Sequence, residues 1–172
     1  MTQTVKDMIE RRSIRSYKAD QVKEEQLQEI LEAGKYAASG MNRQPVKMVV
    51  VQDKETLHQL SGMNAGVMGA KIDPFYGAPT VIVVLADKTV PTYQYDGCLT
   101  MGNLMNAAHA VGVDSCWIHR AKEVFESEEG KALLKKWGIE GDYEGIGHCI
   151  LGYRACDYPT AAPRKEDLVV RV

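Results

Sequence analysis

Hydrophobic positions change period several times along this chain. Val5, Met8 and Ile9 recur at helical spacing near the amino end. Leu27, Ile30, Leu31 and Gly34 mark one face of a stronger second helix, whose first turn carries Glu24 and Glu25, the sign of charge that a helix amino terminus favours. Residues 47–52 read as a buried strand, after which Asp53 can cap a helix with Leu57 and Leu60 on one face. Residues 62–77 are rich in glycine and allow two readings, a short helix over 66–71 or a mobile cover over a site; periodicity does not separate them. Pro79 then introduces an unbroken apolar run over 80–86, the pattern of a central strand with proline at its tolerated beginning.

Residues 95–111 spread Leu99, Met101, Gly102, Leu104, Met105, Ala107, Ala108 and Ala110 around much of a helix, as expected when a helix is packed on several sides. A strand over 114–118 follows. Residues 123–137 then predict one charged helix, with Val124, Leu133, Leu134 and Trp137 facing the protein and Gly138 ending it. Residues 146–153 supply a further strand. Pro159 and Pro163 interrupt regular structure, yet residues 167–172 regain β-prone composition; this predicts a terminal arm that docks on a partner subunit's sheet. The fold class is α+β, a mixed open sheet covered by helices.

Composition narrows the classes of function. With 172 residues, 45% of them hydrophobic and 26% charged, the chain predicts one globular domain over residues 1–172 with a full core of its own. A formal charge of -2 argues against a nucleic-acid partner, although a local anion site remains open. The amino end carries no signal-like stretch and the longest apolar run is too short to span a bilayer, so the expectation is a cytoplasmic protein without a membrane partner. Cys98, Cys116, Cys149 and Cys156 lack metal-knuckle or C-x-x-C spacing and read as reduced structural residues; no metal site is expected.

Two polar segments carry candidate chemistry. Arg11, Arg12, Ser13 and Arg15 follow the first helix; guanidinium groups and a hydroxyl can hold phosphate oxygens, or the segment can be a solvated basic face. Ser39, Gly40, Asn42 and Gln44 lie between a helix and a strand. The two amides can read the edge of a heterocycle, or the loop can cap itself without a ligand.

Taken in order, these segments resemble the nitroreductase family of FMN-dependent flavoproteins. RRSIR at 11–15 is similar to the family's amino-terminal RRSxR, and AASGMNRQP at 37–45 to its APSxxNxQP. DGCLTMGNLMNAAHAVGVDSCWI at 96–118, GHCILGY at 147–153 and PRKEDLV at 163–169 complete the order, so the likeness runs along essentially the whole chain. Two departures stand out: Ala38 occupies the common proline position, and Val46 replaces the common aromatic after QP.

The resemblance implies FMN as cofactor. Arg11, Arg12 and Ser13 would contact its phosphate, Arg15 would lie near the pyrimidine edge, and Arg164 and Lys165 would close on the phosphate or ribityl region. Ser39, Gly40, Asn42 and Gln44 would reach the flavin across a homodimer interface, and the backbone at Cys116, Trp117 and Ile118 would pass near the ring. Trp117 is read either as a ring or substrate contact or as core. The implied activity is ping-pong reduction of a small-molecule electron acceptor, a nitroaromatic, a quinone or a related electrophile, with NADH or NADPH as donor. Such an enzyme needs no side-chain catalytic cluster because the flavin carries the redox chemistry. Halogenated aromatics or unsaturated compounds are alternative acceptors; FMN storage, delivery or sensing with little turnover is the alternative of another class.

Overall fold

A computed structural model describes residues 1–172. Six α-helices are α1 (Gln3–Glu10), α2 (Glu24–Lys35), α3 (Lys54–Met68), α4 (Tyr93–Ala110), α5 (Ala121–Glu126) and α6 (Glu128–Lys136). Four strands, β1 (Val46–Val51), β2 (Thr80–Asp87), β3 (Asp114–Ile118) and β4 (Tyr143–Gly152), form one sheet in the order β1-β2-β4-β3. Every neighbouring pair is antiparallel.

The sheet is buried between two helical layers. Along β2, Val81, Val83 and Leu85 point to a core shared with Leu60, Phe125 and Leu133, while Ile82, Val84 and Ala86 point to a second core with Ile30, Met101 and Leu104. Burial on both faces explains why β2 reads as an unbroken apolar run. The α+β class expected from the sequence is the one observed.

Several elements differ from expectation, each for a local reason. The 47–52 strand is not wholly buried: β1 pairs only with β2, and on this edge Lys47 and Val50 are exposed. The short helix allowed over 66–71 is instead the end of a longer one. Asp53 caps α3 by accepting from the Thr56 amide at 2.8 Å, and the helix runs on to Met68 because Gly62 and Gly66 face open space while Leu60 and Ala65 are buried. Gly69, at φ 64°, ends it in the left-handed conformation that glycine adopts without strain. Asp73 then folds the next turn by accepting from Ser61 Oγ and from the amides of Phe75 and Gly77.

The single helix expected over 123–137 is two. Ser127 is extended, at φ -69° and ψ 157°, and its Oγ caps α6 by accepting from the Gly130 amide at 3.0 Å. Gly130 is required by proximity, since a Cβ there would lie 2.0 Å from the Val124 carbonyl oxygen. The terminal arm over 167–172, expected to dock on a partner subunit, forms no strand within its own chain. A 3-10 turn covers Glu166–Leu168, and Val169, Val170 and Val172 are exposed without a strand partner.

Candidate functional site

Residues 11–17 run from the end of α1 along the free edge of β3. Ser13 bridges Ser115 in parallel, and the Ile14 amide donates to the Ser115 carbonyl at 3.1 Å. Ile14 is fully buried and acts as the peg; Tyr17, also buried, donates its hydroxyl to the Ile14 carbonyl at 2.8 Å. Burial raises the Tyr17 hydroxyl's pKa, with the Arg15 charge pulling the other way. The segment is therefore rigidly seated, and this brings Arg11, Arg12 and Ser13 beside the strand that carries Cys116, Trp117 and Ile118.

The electrostatics at that junction are unbalanced. Arg12 spends one guanidinium nitrogen, Nη1, on the carbonyls of Ile9 and Arg11, both at 2.7 Å. Arg12 Nε, Arg11 Nη1 and Ser115 Oγ are buried with no hydrogen-bond partner. Cationic donors withdrawn from water without an acceptor are costly, so a site built this way gains from an anion that brings oxygens to it. Arg11 also works against the burial that pushes the Cys149 thiol up to about 12.

Residues 39–44 form a different kind of site. Met41, Asn42 and Gln44 have φ of 51°, 55° and 47°, left-handed values that only asparagine among them adopts readily. The strain is held by three contacts: Gly40 donates its amide to Asp96 Oδ1 at 3.0 Å, Gln44 donates its amide to Ser39 Oγ at 3.1 Å, and Gln44 Nε2 donates to Asn42 Oδ1 at 2.9 Å. Asp96, buried in the first turn of α4, also accepts from Thr92 Oγ1 at 2.8 Å. The loop thus caps itself in part. It also holds out the Asn42 amide donor and the Gln44 amide acceptor side by side on exposed side chains, a pattern that pairs with a heterocycle edge.

The two segments are not brought together within one chain. The 39–44 loop is tied to Asp96 near the start of α4, whereas residues 10–12 are tied through Tyr158 to His109 near its end. At 1.5 Å per residue, those ends of the helix are about 20 Å apart. Arg164 and Lys165 are exposed; the one hydrogen bond of Arg164 is to the Ala162 carbonyl, and no hydrogen bond or ion pair joins either residue to Arg11, Arg12 or Ser13. Cys116 and Ile118 are buried in the core that includes Phe125, while Trp117 is half-buried on the opposite side against the α2–α4 layer. Arg15 and His119 are exposed, and Arg120, at φ 71°, donates Nε to Asn64 Oδ1 at 3.0 Å.

Sequence reading missed three participants. Ser115 lies one residue before the candidate stretch, and Tyr158 has no local pattern to mark it. Asp96 did carry a signal, as the one acidic residue in an eighteen-residue helix.

The sequence profile of the nitroreductase family matches residues 8–74, which include both polar segments. A protein of Archaeoglobus fulgidus, provisionally named an NADH dehydrogenase/NAD(P)H nitroreductase, is 33% identical over 159 residues, spanning 89% of this chain and 86% of its own length. The chain belongs to the nitroreductase family. Solved nitroreductase structures agree over full length. A Bacteroides fragilis nitroreductase with bound FMN superposes with a TM-score of 0.92 at 25% identity, covering 100% of both chains. A Desulfitobacterium hafniense nitroreductase with bound FMN gives 0.90 at 27% identity, covering 100% of this chain and 99% of that one. The four-stranded sheet, the α4 spine and the basic segment beside β3 are thus this chain's version of a nitroreductase fold.

Proposed function

We propose that this protein is an FMN-dependent oxidoreductase that acts as a homodimer, taking reducing equivalents from NADH or NADPH and delivering them to nitroaromatics, quinones or related electrophiles. The observation that carries this reading is the set of unpartnered buried donors, Arg11 Nη1, Arg12 Nε and Ser115 Oγ, beside Ser13. A flavin phosphate supplies the oxygens that such donors lack. FMN bound in nitroreductases alike over the full length supports the choice of cofactor, and the name of the Archaeoglobus relative supports the choice of donor.

When bound, FMN would supply hydride acceptance and release. The chain's own residues would do the rest. Arg11, Arg12 and Ser13 would anchor the phosphate, Arg15 would place positive charge near the pyrimidine edge, and the β3 backbone at Cys116, Trp117 and Ile118 would bound the ring. Asn42 and Gln44 would read the ring edge.

Geometry favours a second copy for that last task. Tyr95 and Leu99 leave one face of α4 uncovered, and α1 exposes Val5, Met8 and Ile9. Two copies related by a two-fold axis would set their α4 helices antiparallel across these faces. The loop at the start of one helix would then lie beside the basic segment at the end of the other, closing the gap of about 20 Å. Arg164 and Lys165, on an arm with no seat in its own chain, would join the phosphate once the arm docks. One exposed ring face, used first by donor and then by acceptor, gives ping-pong kinetics.

Reconstitution tests the cofactor and the assembly together. Saturation with FMN should yield one flavin per chain in a dimer by light scattering. Equal occupancy by FAD, or full retention by a monomer, would contradict this reading.

A further inference from the structure

After β4 the chain does not leave the molecule at once. The Lys18 amide donates to the Tyr153 carbonyl at 2.8 Å, Tyr17 bridges Arg154, and the Ala155 amide donates to the Ser16 carbonyl at 2.9 Å, so residues 153–155 run antiparallel to residues 16–18. The final tie is made by a side chain. The Arg12 amide donates to Tyr158 Oη at 3.0 Å, and Tyr158 donates its hydroxyl to the Glu10 carbonyl at 2.9 Å. His109 Nδ1 lies 3.3 Å from the same oxygen. With the proton on Nδ1, His109 fills the second lone pair, and the hydroxyl makes all three of its bonds.

The phenol ring is held as well. Its centroid is 6.1 Å from that of His109 with planes 24° apart, and the Arg154 guanidinium lies 5.1 Å over its face. Arg154 is itself fixed by Asp114 at 3.3 Å. This clasp grips the backbone between Arg11 and Arg12, the two residues that each bury a guanidinium nitrogen without an acceptor. Beyond it, every residue from 159 to 172 is exposed. Arg164 lies six positions beyond Tyr158, an extended reach of about 20 Å.

We propose that Tyr158 is a positioning residue for the anion site: by clasping the Arg12 backbone to the root of the carboxyl-terminal arm, it couples phosphate binding at Arg11, Arg12 and Ser13 to the seating of the arm that carries Arg164 and Lys165. The proposal rests on reading residues 11–13 as the phosphate end of the FMN site. It goes further by assigning a role to a residue outside both polar segments. Without the clasp, the Arg12 backbone would sample conformations in which its side chain leaves the site, and the arm's root would be free. Both changes weaken binding of the phosphate and not of the flavin ring.

Tyr158→Phe separates these effects, because it keeps the stack on His109 and the contact with Arg154 while removing both backbone hydrogen bonds. FMN and riboflavin, which differ only by the phosphate, are titrated by flavin fluorescence against parent and variant, and amide hydrogen exchange is followed at Arg12 and over residues 164–170. In the variant the preference for FMN over riboflavin should fall by about 3- to 10-fold, the worth of one hydrogen bond, because only part of the loss of the two backbone bonds is passed on to the phosphate. Riboflavin affinity should hold, which also reports an intact fold. Arg12 exchange should quicken, and the protection that FMN confers on the arm in the parent should be lost. An unchanged FMN-to-riboflavin ratio with Arg12 exchange accelerated would overturn the proposal alone. A parent that binds riboflavin as tightly as FMN would instead overturn the phosphate reading, and the proposal with it.

Discussion

His148 offers a quantitative test of how the sheet is packed. It lies on β4 opposite Val83 and Ile118, fully buried, with ring centroids of Phe75 and Phe125 at 5.2 and 6.0 Å. Nε2 has no partner, and Nδ1 is 3.5 Å from Asn64 Nδ2. Burial penalises the imidazolium, the nearby Arg120 charge adds to that penalty, and the carbonyls of Ile118 and His119 oppose it; the result is a pKa lowered to about 4 from 6.5. The unfolded chain therefore binds a proton at mildly acidic pH that the folded chain refuses. Stability from this residue is complete above the unfolded value and is lost as pH falls from there towards the folded value. A shift of this size, at 1.36 kcal/mol per unit, amounts to about 3 kcal/mol in all, of which about 2 kcal/mol is lost between about pH 7.5 and about pH 5. His148→Gln removes the titration at similar volume. Urea unfolding of parent and variant across that range, followed by tryptophan fluorescence, should give a parent that loses about 2 kcal/mol more than the variant. Parallel profiles would mean that His148 is hydrated or protonated in the folded protein, and would refute the packing described for that face of the sheet.

Other predictions address the site and its supports. Arg11→Ala should mainly reduce FMN retention, by about 10-fold or more for a lost charge-assisted contact, whereas Arg15→Ala should mainly shift the flavin potential; titration and potentiometry separate the two, and identical behaviour would remove the distinction between their roles. Asp96→Ala removes the acceptor for Gly40 and Thr92 and should destabilise the protein by about 2 to 4 kcal/mol in urea unfolding, with Asp96→Asn retaining part of this; an unaffected alanine variant would show that the 39–44 loop does not depend on that carboxylate. Burial would raise the Glu144 carboxyl, but hydrogen bonds from Gln94, Lys122 and Tyr93 outweigh it and hold it below its ordinary 4.5. The stability that Glu144 provides is thus present above that ordinary value and lost as pH falls through the lower folded value. Glu144→Gln should flatten the acid limb of the stability profile there, and an unchanged limb would count against the bridge.

How much was legible in the sequence depended on whether a feature was local. Strand β2 is specified by its unbroken apolar run, helix α2 by its periodicity, and the Asp53 cap by residue type and spacing. The break at Ser127 was missed because the charged pattern of α5 continues into α6; the turn is enforced by the Ser127 cap together with the close approach of Gly130 to the Val124 carbonyl. The length of α3 was obscured by Gly62 and Gly66, whose cost depends on which way they face. At the site, the two polar segments were recognisable as motifs, but their separation by the length of α4 is a property of the fold. Asp96, Ser115 and Tyr158 act through contacts made far along the chain; Tyr158 meets residues 146 and 148 positions away. The β-prone composition of the arm was legible, but which edge such a segment pairs with is not a local property, and within its own chain it pairs with none.

The most direct test of the central claim is anaerobic stopped-flow spectroscopy of the FMN-loaded protein, with the two half-reactions run apart. NADH or NADPH should bleach the flavin, a quinone or nitroaromatic added afterwards should restore the oxidised spectrum, and steady-state rates should give parallel double-reciprocal lines. A fully loaded protein that neither nicotinamide reduces would contradict the oxidoreductase account and leave FMN storage, delivery or sensing in its place.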